Sequence, residues 1–352
     1  MEKYFKFKKE IISNEFVSYL KTNNSAFENI NFFGPDLLNR LEHFATNGKM
    51  IRGGLVLLAQ EMFSEKYTPD GIKVAIAIEL MHTSLLIHDD IMDNDYTRRG
   101  NRTIFAQYID FAEEKKLSSP ESFGINMGIC VGDIGFFLAF SLFSQLTAPP
   151  ETKSQLLSFF SKEMIAVGLM QMQDVYFASS NSAVSKEQIL SMYKYKTARY
   201  TFTLPLVSGA ILSGQPISNI ALLEKLGESL GIIFQIRDDE IGLFQTEEEI
   251  GKPIGSDIRE KKKTLFYTTL FQKVTEDEKN KLNDIFGSQV ITPAMVRYVK
   301  ELVISSGTYA VISEYITELS HSAKKIIDDL TINSEYKIIL NELLIYNLKR
   351  SS

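Results

Sequence analysis

The sequence lacks the cysteines and the long apolar runs that would place it outside a reducing, aqueous compartment. Cys130 is the single cysteine in 352 residues, so no intrachain disulfide is possible, which suits a reducing compartment. The N-terminal segment mixes both charge signs and has no apolar signal core. The longest apolar stretch, 134–143, is half of the roughly 20 residues that a membrane span needs. We therefore expect a cytoplasmic protein without a transmembrane segment.

The chain also lacks an excess of basic residues. Its formal net charge is −6 and its isoelectric point is near 5.5. A nucleic acid as the main partner is disfavoured, because a phosphate backbone is bound through basic surface. A small anionic substrate in a locally basic pocket is still compatible with this balance.

Strand patterns are missing as well: the sequence shows no regular apolar alternation and no Asn-Gly or Asp-Gly hairpin signal. Apolar residues instead recur at three- and four-residue intervals, which is typical of helices. The segments with this pattern are 72–93, 128–146, 156–177, 186–212, 221–244 and 293–319. Polar, Gly- and Pro-containing breaks separate them. The sequence predicts an all-α protein with ten or more helices in a single domain over residues 1–352.

The first cluster of chemically active residues is the stretch LLIHDDIMDNDYTRRG at residues 85–100. Asp89 and Asp93 are four residues apart, so a helix places them on one face about 6 Å apart. His82 lies on the same stripe, two turns earlier. Acidic residues at the C-terminal end of a helix oppose the helix dipole, so ordinary capping explains them poorly. Either they are solvated, or a cation is bound between them.

A second acidic cluster, FQIRDDEIGLF at residues 234–244, repeats this arrangement far along the chain. Asp238 and Asp239 follow an apolar helical run, and Gln235 precedes them by one turn. If the two acidic helix ends face each other, they form a cage of hard oxygen ligands of the kind that Mg²⁺ prefers. A carboxylate and a phosphate about 4 Å apart repel by roughly 4 kcal/mol at an effective dielectric constant near 20, so a bound diphosphate requires such ions.

Basic residues surround the two acidic clusters. Arginine suits bidentate contacts to phosphate, and lysine supplies a compact charge. Together they indicate two anion sites, one through metal and one direct. They are Lys49 and Arg52, Arg98 and Arg99, Lys196, Lys252 and Lys262.

With these residues in place, the chain closely resembles the trans-isoprenyl diphosphate synthases, the polyprenyl synthetase family. The resemblance extends from about Gly48 to Thr264 and follows the family's order of motifs. The motifs are GKMIR, HDDIMD followed by RRG, KTA, FQIRDD and GKPIGSDIREKKKT. It implies the isoprenoid synthase fold, a helical bundle around a central cavity, and expected homodimerisation. It also implies the condensation of isopentenyl diphosphate with an allylic diphosphate of C5 to C15.

The resemblance implies a role for each matching residue. Up to three Mg²⁺ ions would be held by Asp89, Asp90, Asp93, Asp238 and Asp239. The diphosphate of isopentenyl diphosphate would be bound by Lys49, Arg52, His82 and Arg99, and the allylic diphosphate by Arg98, Lys196, Lys252 and Lys262. Thr197 and Gln235 would line the point where the carbocation forms, and Gln171 and Asp174 resemble the family's Gln-x-x-Asp element.

Five positions depart from the family pattern. Gly242 stands where many members have a third aspartate, which puts the third metal ion's ligands in question. The other departures are Gly53 in place of proline, Phe105 in place of histidine, Met170 in place of glycine and Lys261 in place of glycine.

Product length in the family depends on side chains four and five positions before the first aspartate. These positions hold Leu85 and Ser84, neither of them aromatic, and Met81 lies one turn deeper. The resemblance therefore favours geranylgeranyl diphosphate (C20). The alternatives are a farnesyl (C15) or medium-chain (C25 or longer) synthase and a non-catalytic subunit of a heteromeric synthase. A class I terpene cyclase fits less well because it has no use for GKMIR, and a purely structural bundle leaves the paired acids unexplained.

Overall fold

The computed structural model describes residues 1–180, 184–244, 256–288 and 290–350 and is almost entirely helical there. Sixteen α-helices and one π-helix lie in these ranges, and a two-residue antiparallel pair, β1 (Thr97–Arg98) and β2 (Asn101–Arg102), is the sheet they contain. The prediction of an all-α chain with ten or more helices is confirmed.

The helices before residue 180 are α1 (Glu2–Glu28), α2 (Phe33–Thr46), α3 (Ile51–Ser64), α4 (Pro69–Met92), α5 (Ile104–Glu114), α6 (Pro120–Ser144) and α7 (Pro150–Ser179). The later ones are α8 (Lys186–Met192), the π-helix (Tyr193–Thr203), α9 (Leu204–Leu212), α10 (Ile217–Phe244), α11 (Ser256–Arg259), α12 (Leu265–Lys273), α13 (Glu276–Ile285), α14 (Pro293–Ser305), α15 (Thr308–Asp329) and α16 (Ser334–Lys349).

The chain divides into two compact units. Unit 1 comprises Met1–Leu157 and Ser208–Gln215, and unit 2 comprises Ser158–Val207 and Pro216–Ser352. The first acidic cluster therefore belongs to unit 1 and the second to unit 2. The single-domain organisation and the opposition of the two clusters stay predictions from the sequence.

Unit 1 is built around α4, which packs against α3, α5 and α6. The helix starts sharply because the Thr68 hydroxyl accepts a hydrogen bond from the Gly71 N–H and Pro69 occupies the first turn. Val74, Ile78 and Met81 are buried, as their helical spacing predicts. This core fixes the direction in which α4 delivers its acidic C-terminal end.

Unit 2 is built around α10, which packs against the π-helix, α15 and α16. Gly231 permits the closest approach, since a Cβ atom there would overlap Ala198 in the π-helix. One turn beyond Gly231, Gln235 therefore lies beside the π-helix. The sequence predicted one helix over 186–212, and the structure interrupts it with the π-helix.

One predicted helix, 293–319, is wrong as a continuous element. The structure ends α14 at Ser305 and begins α15 at Thr308. Gly307 between them has a φ of 73°, in the left-handed region that glycine adopts at little cost. The apolar periodicity continues across the break, so it concealed the turn.

Within the part of the chain that the structure describes, two helices, α4 and α6, are long and apolar enough to cross a membrane by length and hydropathy alone. In α4, 67% of the apolar window is buried in the folded chain, which accounts for its composition as a core helix. In α6 the corresponding share is 44%, and Ile129, Phe137 and Phe140 are exposed.

Candidate functional site

The end of α4 places the first acidic cluster as its spacing predicts. The helical hydrogen bond from the Asp93 N–H to the Asp89 carbonyl oxygen is kept at 2.9 Å, so the two residues lie one turn apart. Asp89 is half-buried and Asp93 is exposed. The chain then leaves the helix through Asn94, whose φ is 55°. Both carboxylate-bearing residues are thus placed at the tip of α4.

Asp90, between them, has a different environment. Its side chain is fully buried, and Arg98 in β1 donates to its Oδ1 through Nε at 2.6 Å. Burial raises the pKa of Asp90 to about 6, although Arg98 opposes the rise. This contact ties the tip of α4 to the β-hairpin that carries Arg98 and Arg99, which supports an indirect role for Asp90 near any metal.

The basic residues predicted to hold isopentenyl diphosphate converge within unit 1. Arg52 lies in the first turn of α3, where the helix dipole is positive, and Lys49 lies two residues before the helix begins. Arg99 approaches the backbone at Gly48 so closely that a Cβ atom there would lie 3.0 Å from its Nη1. Burial and the charge of Arg98 lower the pKa of Arg99.

His82 and Glu79, one turn apart on α4, complete this cluster. Burial, together with the positive charges of Arg52, Arg99 and Arg98, holds the pKa of His82 well below 6.5. Burial raises the pKa of Glu79, whose carboxylate accepts a hydrogen bond from the Gly53 N–H at 2.7 Å. Proline, the family's usual residue at position 53, has no N–H to donate. The positive charges of Arg52, Arg98 and Arg99 around His82 favour an anion over a cation here.

A cavity of about 390 Å³ opens beside Arg98 and Arg99 in unit 1. Sequence reasoning missed most of its lining, because α2 carries no recognisable motif. The residues that it missed are Asp36, Asn39, Arg40, His43, Phe44, Asn47, Asn101, Arg102 and Gln107.

The predicted chain-length residues lie in the core of unit 1. Ser84 is fully buried, and Met81 is 3% exposed. A Cβ atom at Gly135 on α6 would overlap Oγ of Ser84, so α6 closes directly over this position. Leu85 is half-buried. His88, next to Asp89, pairs with Asp133 at 3.5 Å and packs against Phe136, which is a local structural role.

In unit 2 the residues predicted for the second cluster also come together. A cavity of about 150 Å³ is lined by Asp174, Met192, Tyr193, Lys196, Thr197, Gln235, Asp238, Asp239, Lys262, Lys263 and Thr264. Asp174 on α7 forms an ion pair with Lys196 in the π-helix. Gln171 lies one turn before Asp174 and is half-buried. The cavity thus carries three lysines and three aspartates on four separate segments of the chain.

A chain of hydrogen bonds fixes the centre of this cavity. The Thr197 hydroxyl donates to Gln235 Oε1 at 2.8 Å, and Gln235 Nε2 donates to Asp239 Oδ1 at 2.9 Å. The Tyr193 hydroxyl donates to Asp239 Oδ2 and accepts from the Leu265 N–H at 2.8 Å. Asp239 is 3% exposed, whereas the Asp238 side chain is 45% exposed. Of the adjacent pair, Asp238 is therefore the more accessible carboxylate.

Four residues that line this cavity were missed from the sequence: Met192, Tyr193, Lys263 and Thr264. Tyr193 lies one turn before Lys196, and its aromatic side chain resembled ordinary core packing. Lys263 is buried beside Tyr267, and burial together with Lys261 lowers its pKa. Lys261 has a φ of 52°, which explains why glycine is usual there. Lys252 lies outside the described residues.

The carboxylates of the two acidic clusters fit a divalent ion that takes its remaining oxygen ligands from water and from the substrate. The described residues contain no group of three or more His, Cys, Asp or Glu side chains poised to hold a metal. Each acidic cluster instead offers one or two accessible carboxylates, Asp89 and Asp93 in the first and Asp238 in the second. Mg²⁺ in proteins is commonly bound by one or two carboxylates, with water and phosphate oxygens completing its octahedron.

The chain resembles known proteins in sequence and in fold. A family model described as polyprenyl synthetase matches residues 35–303. Geranylgeranyl diphosphate synthase of Sulfolobus acidocaldarius is 32% identical over 248 residues, 70% of each chain. The short chain isoprenyl diphosphate synthase of Methanothermobacter thermautotrophicus is 34% identical over 263 residues, covering 74% of this chain and 75% of the relative.

Among solved structures, a geranylgeranyl pyrophosphate synthase from Corynebacterium glutamicum, complexed with isoprenyl diphosphate and magnesium, superposes with a TM-score of 0.89. Its sequence is 26% identical, and the match covers 97% of this chain and 98% of the other.

Proposed function

Because the chain belongs to the polyprenyl synthetase family, we propose that it condenses isopentenyl diphosphate with an allylic diphosphate to form geranylgeranyl diphosphate. The observation that carries this proposal is the retention of both acidic clusters, each beside clustered cations. A diphosphate needs both charges around it, the cations directly and the carboxylates through metal. The family match spans parts of both compact units, which supports their acting as one catalytic domain.

The proposal includes dependence on Mg²⁺. Asp89 and Asp93 in unit 1 and Asp238 in unit 2 would hold the ions, with Asp90 and Asp239 supporting them from buried positions. Bound there, the ions would neutralise the charge that develops on the leaving diphosphate. Gly242 offers no carboxylate for a third ion, so that ion would depend on phosphate and water oxygens.

The protein's own residues account for binding, orientation and the exclusion of water. Arg52, Arg99 and Lys49 bind the diphosphate of isopentenyl diphosphate as a preorganised cationic cluster, and His82, neutral at pH 7, contributes a hydrogen bond. Lys196 and Lys262 bind the allylic diphosphate and stabilise it as the C–O bond breaks. The Thr197 hydroxyl and the Gln235 amide, locked together, present fixed dipoles to the allylic cation. A proton then leaves the condensation product, and the departing diphosphate is the base available to accept it.

Product length is proposed from the small side chain at position 84. Ser84 and Leu85 carry no aromatic ring of the kind that closes a prenyl cavity early, which favours C20 over C15. The tight contact between Ser84 and Gly135 limits the space on that side, so a much longer product is less compatible with the packing.

We propose a homodimer formed through α6. Phe137 is 71% exposed on this apolar helix, together with Ile129 and Phe140. A second copy would cover these side chains, and their burial would stabilise the pair by about 25 cal/mol per Å² of apolar surface. Light scattering should give twice the chain mass, and Phe137→Glu should halve it, whereas Ile217→Glu, at an exposed position in the first turn of α10, should not. A cytoplasmic location belongs to the proposal and rests on the single, exposed, free thiol of Cys130.

One assay tests the main proposal. The protein is incubated with isopentenyl diphosphate, Mg²⁺ and a C5, C10 or C15 allylic primer, and the products are sized after dephosphorylation. A C20 alcohol from all three primers is expected. A C15 or a C25 product would correct the chain length, and no product from any primer would favour a non-catalytic subunit.

A further inference from the structure

An arginine that none of the motifs includes lies against the second acidic cluster. Arg350 follows α16, and its Nη1 lies 2.9 Å from Oδ1 of Asp238. The Arg350 side chain is 16% exposed. The carboxylate that unit 2 presents as its most accessible metal ligand is therefore already neutralised by a cation of the chain itself.

Arg350 and the residues before it contact regularly spaced residues on α10. Leu230, Phe234 and Asp238 follow one another at four-residue intervals, so they lie along one face of the helix. Asn347, buried and one turn before Arg350, donates from Nδ2 to the Leu230 carbonyl oxygen at 3.2 Å.

The guanidinium itself stacks on this face. Its central carbon lies 4.1 Å from the centroid of the Phe234 ring. A planar guanidinium binds an aromatic face and a carboxylate at the same time, which an ammonium group does poorly. Three successive contacts, through Leu230, Phe234 and Asp238, thus hold the end of α16 on α10. The ion pair is consequently a defined feature of the fold.

We propose that Arg350 is an exchangeable counter-ion of Asp238. Its guanidinium neutralises the carboxylate in the metal-free protein and gives way when a divalent ion binds there. The reason is electrostatic: a guanidinium and a divalent ion on the same carboxylate repel each other strongly at this distance. Pairing and metal binding therefore compete, and each weakens the other by the same factor.

This inference rests on the proposed role of Asp238 as a metal ligand and concerns the affinity of that carboxylate for divalent ions. The pair lowers the occupancy of Asp238 by divalent ions when no diphosphate is present. Metal then binds this carboxylate well only when a diphosphate supplies further oxygen ligands.

The test measures divalent-ion binding rather than catalysis. Mn²⁺ is the probe, because it takes the same carboxylate and water ligands as Mg²⁺ and its free concentration is read by electron paramagnetic resonance. Binding to the wild type is compared with binding to Arg350→Gln and to Lys349→Gln. Lys349 is the exposed neighbour, and its substitution removes the same charge. Arg350→Gln should bind Mn²⁺ about two- to fivefold more tightly, the range expected for a partly exposed pair, and Lys349→Gln should match the wild type.

Asp238→Asn, alone and combined with Arg350→Gln, separates the proposed metal role of Asp238 from the proposed role of Arg350. Asp238→Asn should weaken Mn²⁺ binding, and adding Arg350→Gln to it should then change nothing. An equal gain with and without Asp238 would show a general charge effect and overturn the inference. If Asp238→Asn weakens binding but Arg350→Gln equals the wild type, the inference alone fails. If Asp238→Asn binds Mn²⁺ as the wild type does, the proposed metal role of Asp238 fails, and the inference about Arg350 fails with it. Circular dichroism spectra of all variants establish that each is folded.

Discussion

The hydroxyl group of Tyr193 donates a hydrogen bond to Asp239 and so determines which member of the second acidic pair faces inward. The same hydroxyl accepts from the Leu265 N–H, which joins the π-helix, α10 and the start of α12 at one atom. Asp239 is buried by this arrangement, and Asp238 is the carboxylate left half-exposed. Tyr193 is therefore a positioning residue for the acidic cluster.

Tyr193→Phe should lower the free energy of unfolding by about 1–3 kcal/mol, because it removes the hydroxyl partner of a buried carboxylate and a buried N–H. Urea denaturation measures the loss. Tyr195→Phe, in the same π-helix and half-buried, is the matched control and should change stability by less than about 0.5 kcal/mol. Equal losses in the two variants would contradict the bridging role.

His82 should make the metal-free protein less stable as the pH falls below about 7. Its folded pKa lies well below its usual 6.5, so the unfolded chain binds the proton first. The unfolded state then holds more protons, and the contribution of this residue to stability is lost progressively as the pH falls through 6.5. The measurement is urea denaturation between pH 7.5 and 5.5.

His82→Asn should remove this part of the pH dependence, whereas His43→Asn, on the exposed face of α2, should leave it unchanged. Inorganic pyrophosphate should flatten the slope in the wild type, since a bound anion offsets the charges of Arg52 and Arg99 that disfavour the imidazolium. An identical slope in wild type and His82→Asn would refute the assignment.

Asp89→Ala should reduce turnover by several orders of magnitude with little loss of folding. Asp89 is a half-buried carboxylate at the tip of α4, so its removal leaves the core intact while the proposed metal loses a ligand. Steady-state kinetics at saturating Mg²⁺ measure the effect. The control is Asp110→Ala, which removes a surface carboxylate that pairs with Arg102. An unchanged rate in Asp89→Ala would reject its role.

Larger side chains at the proposed chain-length positions, Ser84 and Leu85, should shorten the product. Ser84→Phe directs an aromatic ring at α6, where Gly135 leaves no room, so this variant tests length only if it folds. Leu85→Phe is the second variant. It should disturb folding less, because Leu85 is only half-buried. Product sizing by chromatography should show C15 replacing C20 in a folded variant, and Ser84→Ala should keep the native product. A product spectrum equal to that of the wild type from folded Ser84→Phe and Leu85→Phe would refute the proposed role of these two positions in setting product length.

Arg199→Gln should lower stability by about 3–5 kcal/mol, as removal of one partner from a buried ionic network does. The Arg199 guanidinium pairs with Glu163 through two bonds of 2.8 and 2.7 Å and also contacts Glu224 and Glu228. Urea denaturation again measures the change. Lys194→Gln removes a more exposed partner of Glu228 and should cost less than about 1 kcal/mol. A loss for Arg199→Gln as small as that of Lys194→Gln would show that the network contributes little.

The sequence alone determined the helical class and the composition of the site. The spacing of Asp89 and Asp93 fixes them one turn apart on any helix, and local hydrogen bonding keeps that relation in the structure. The order of motifs placed Lys49, Arg52, Arg98 and Arg99 in an anion site, because charge and residue type are visible without coordinates. The sequence did not indicate the break at Gly307, since the apolar period persists across it.

Only the tertiary structure distinguished Asp238 from Asp239, which are identical and adjacent in the sequence. Tyr193 and Gln235 satisfy one of them in the interior, and Arg350 pairs with the other, more than 100 residues away along the chain. The π-helix that aims Lys196 and Thr197 was equally hidden, because its apolar spacing resembles that of an α-helix. Local spacing decides which residues share a helix face, but burial and long-range hydrogen bonds decide which of them is accessible to a metal ion.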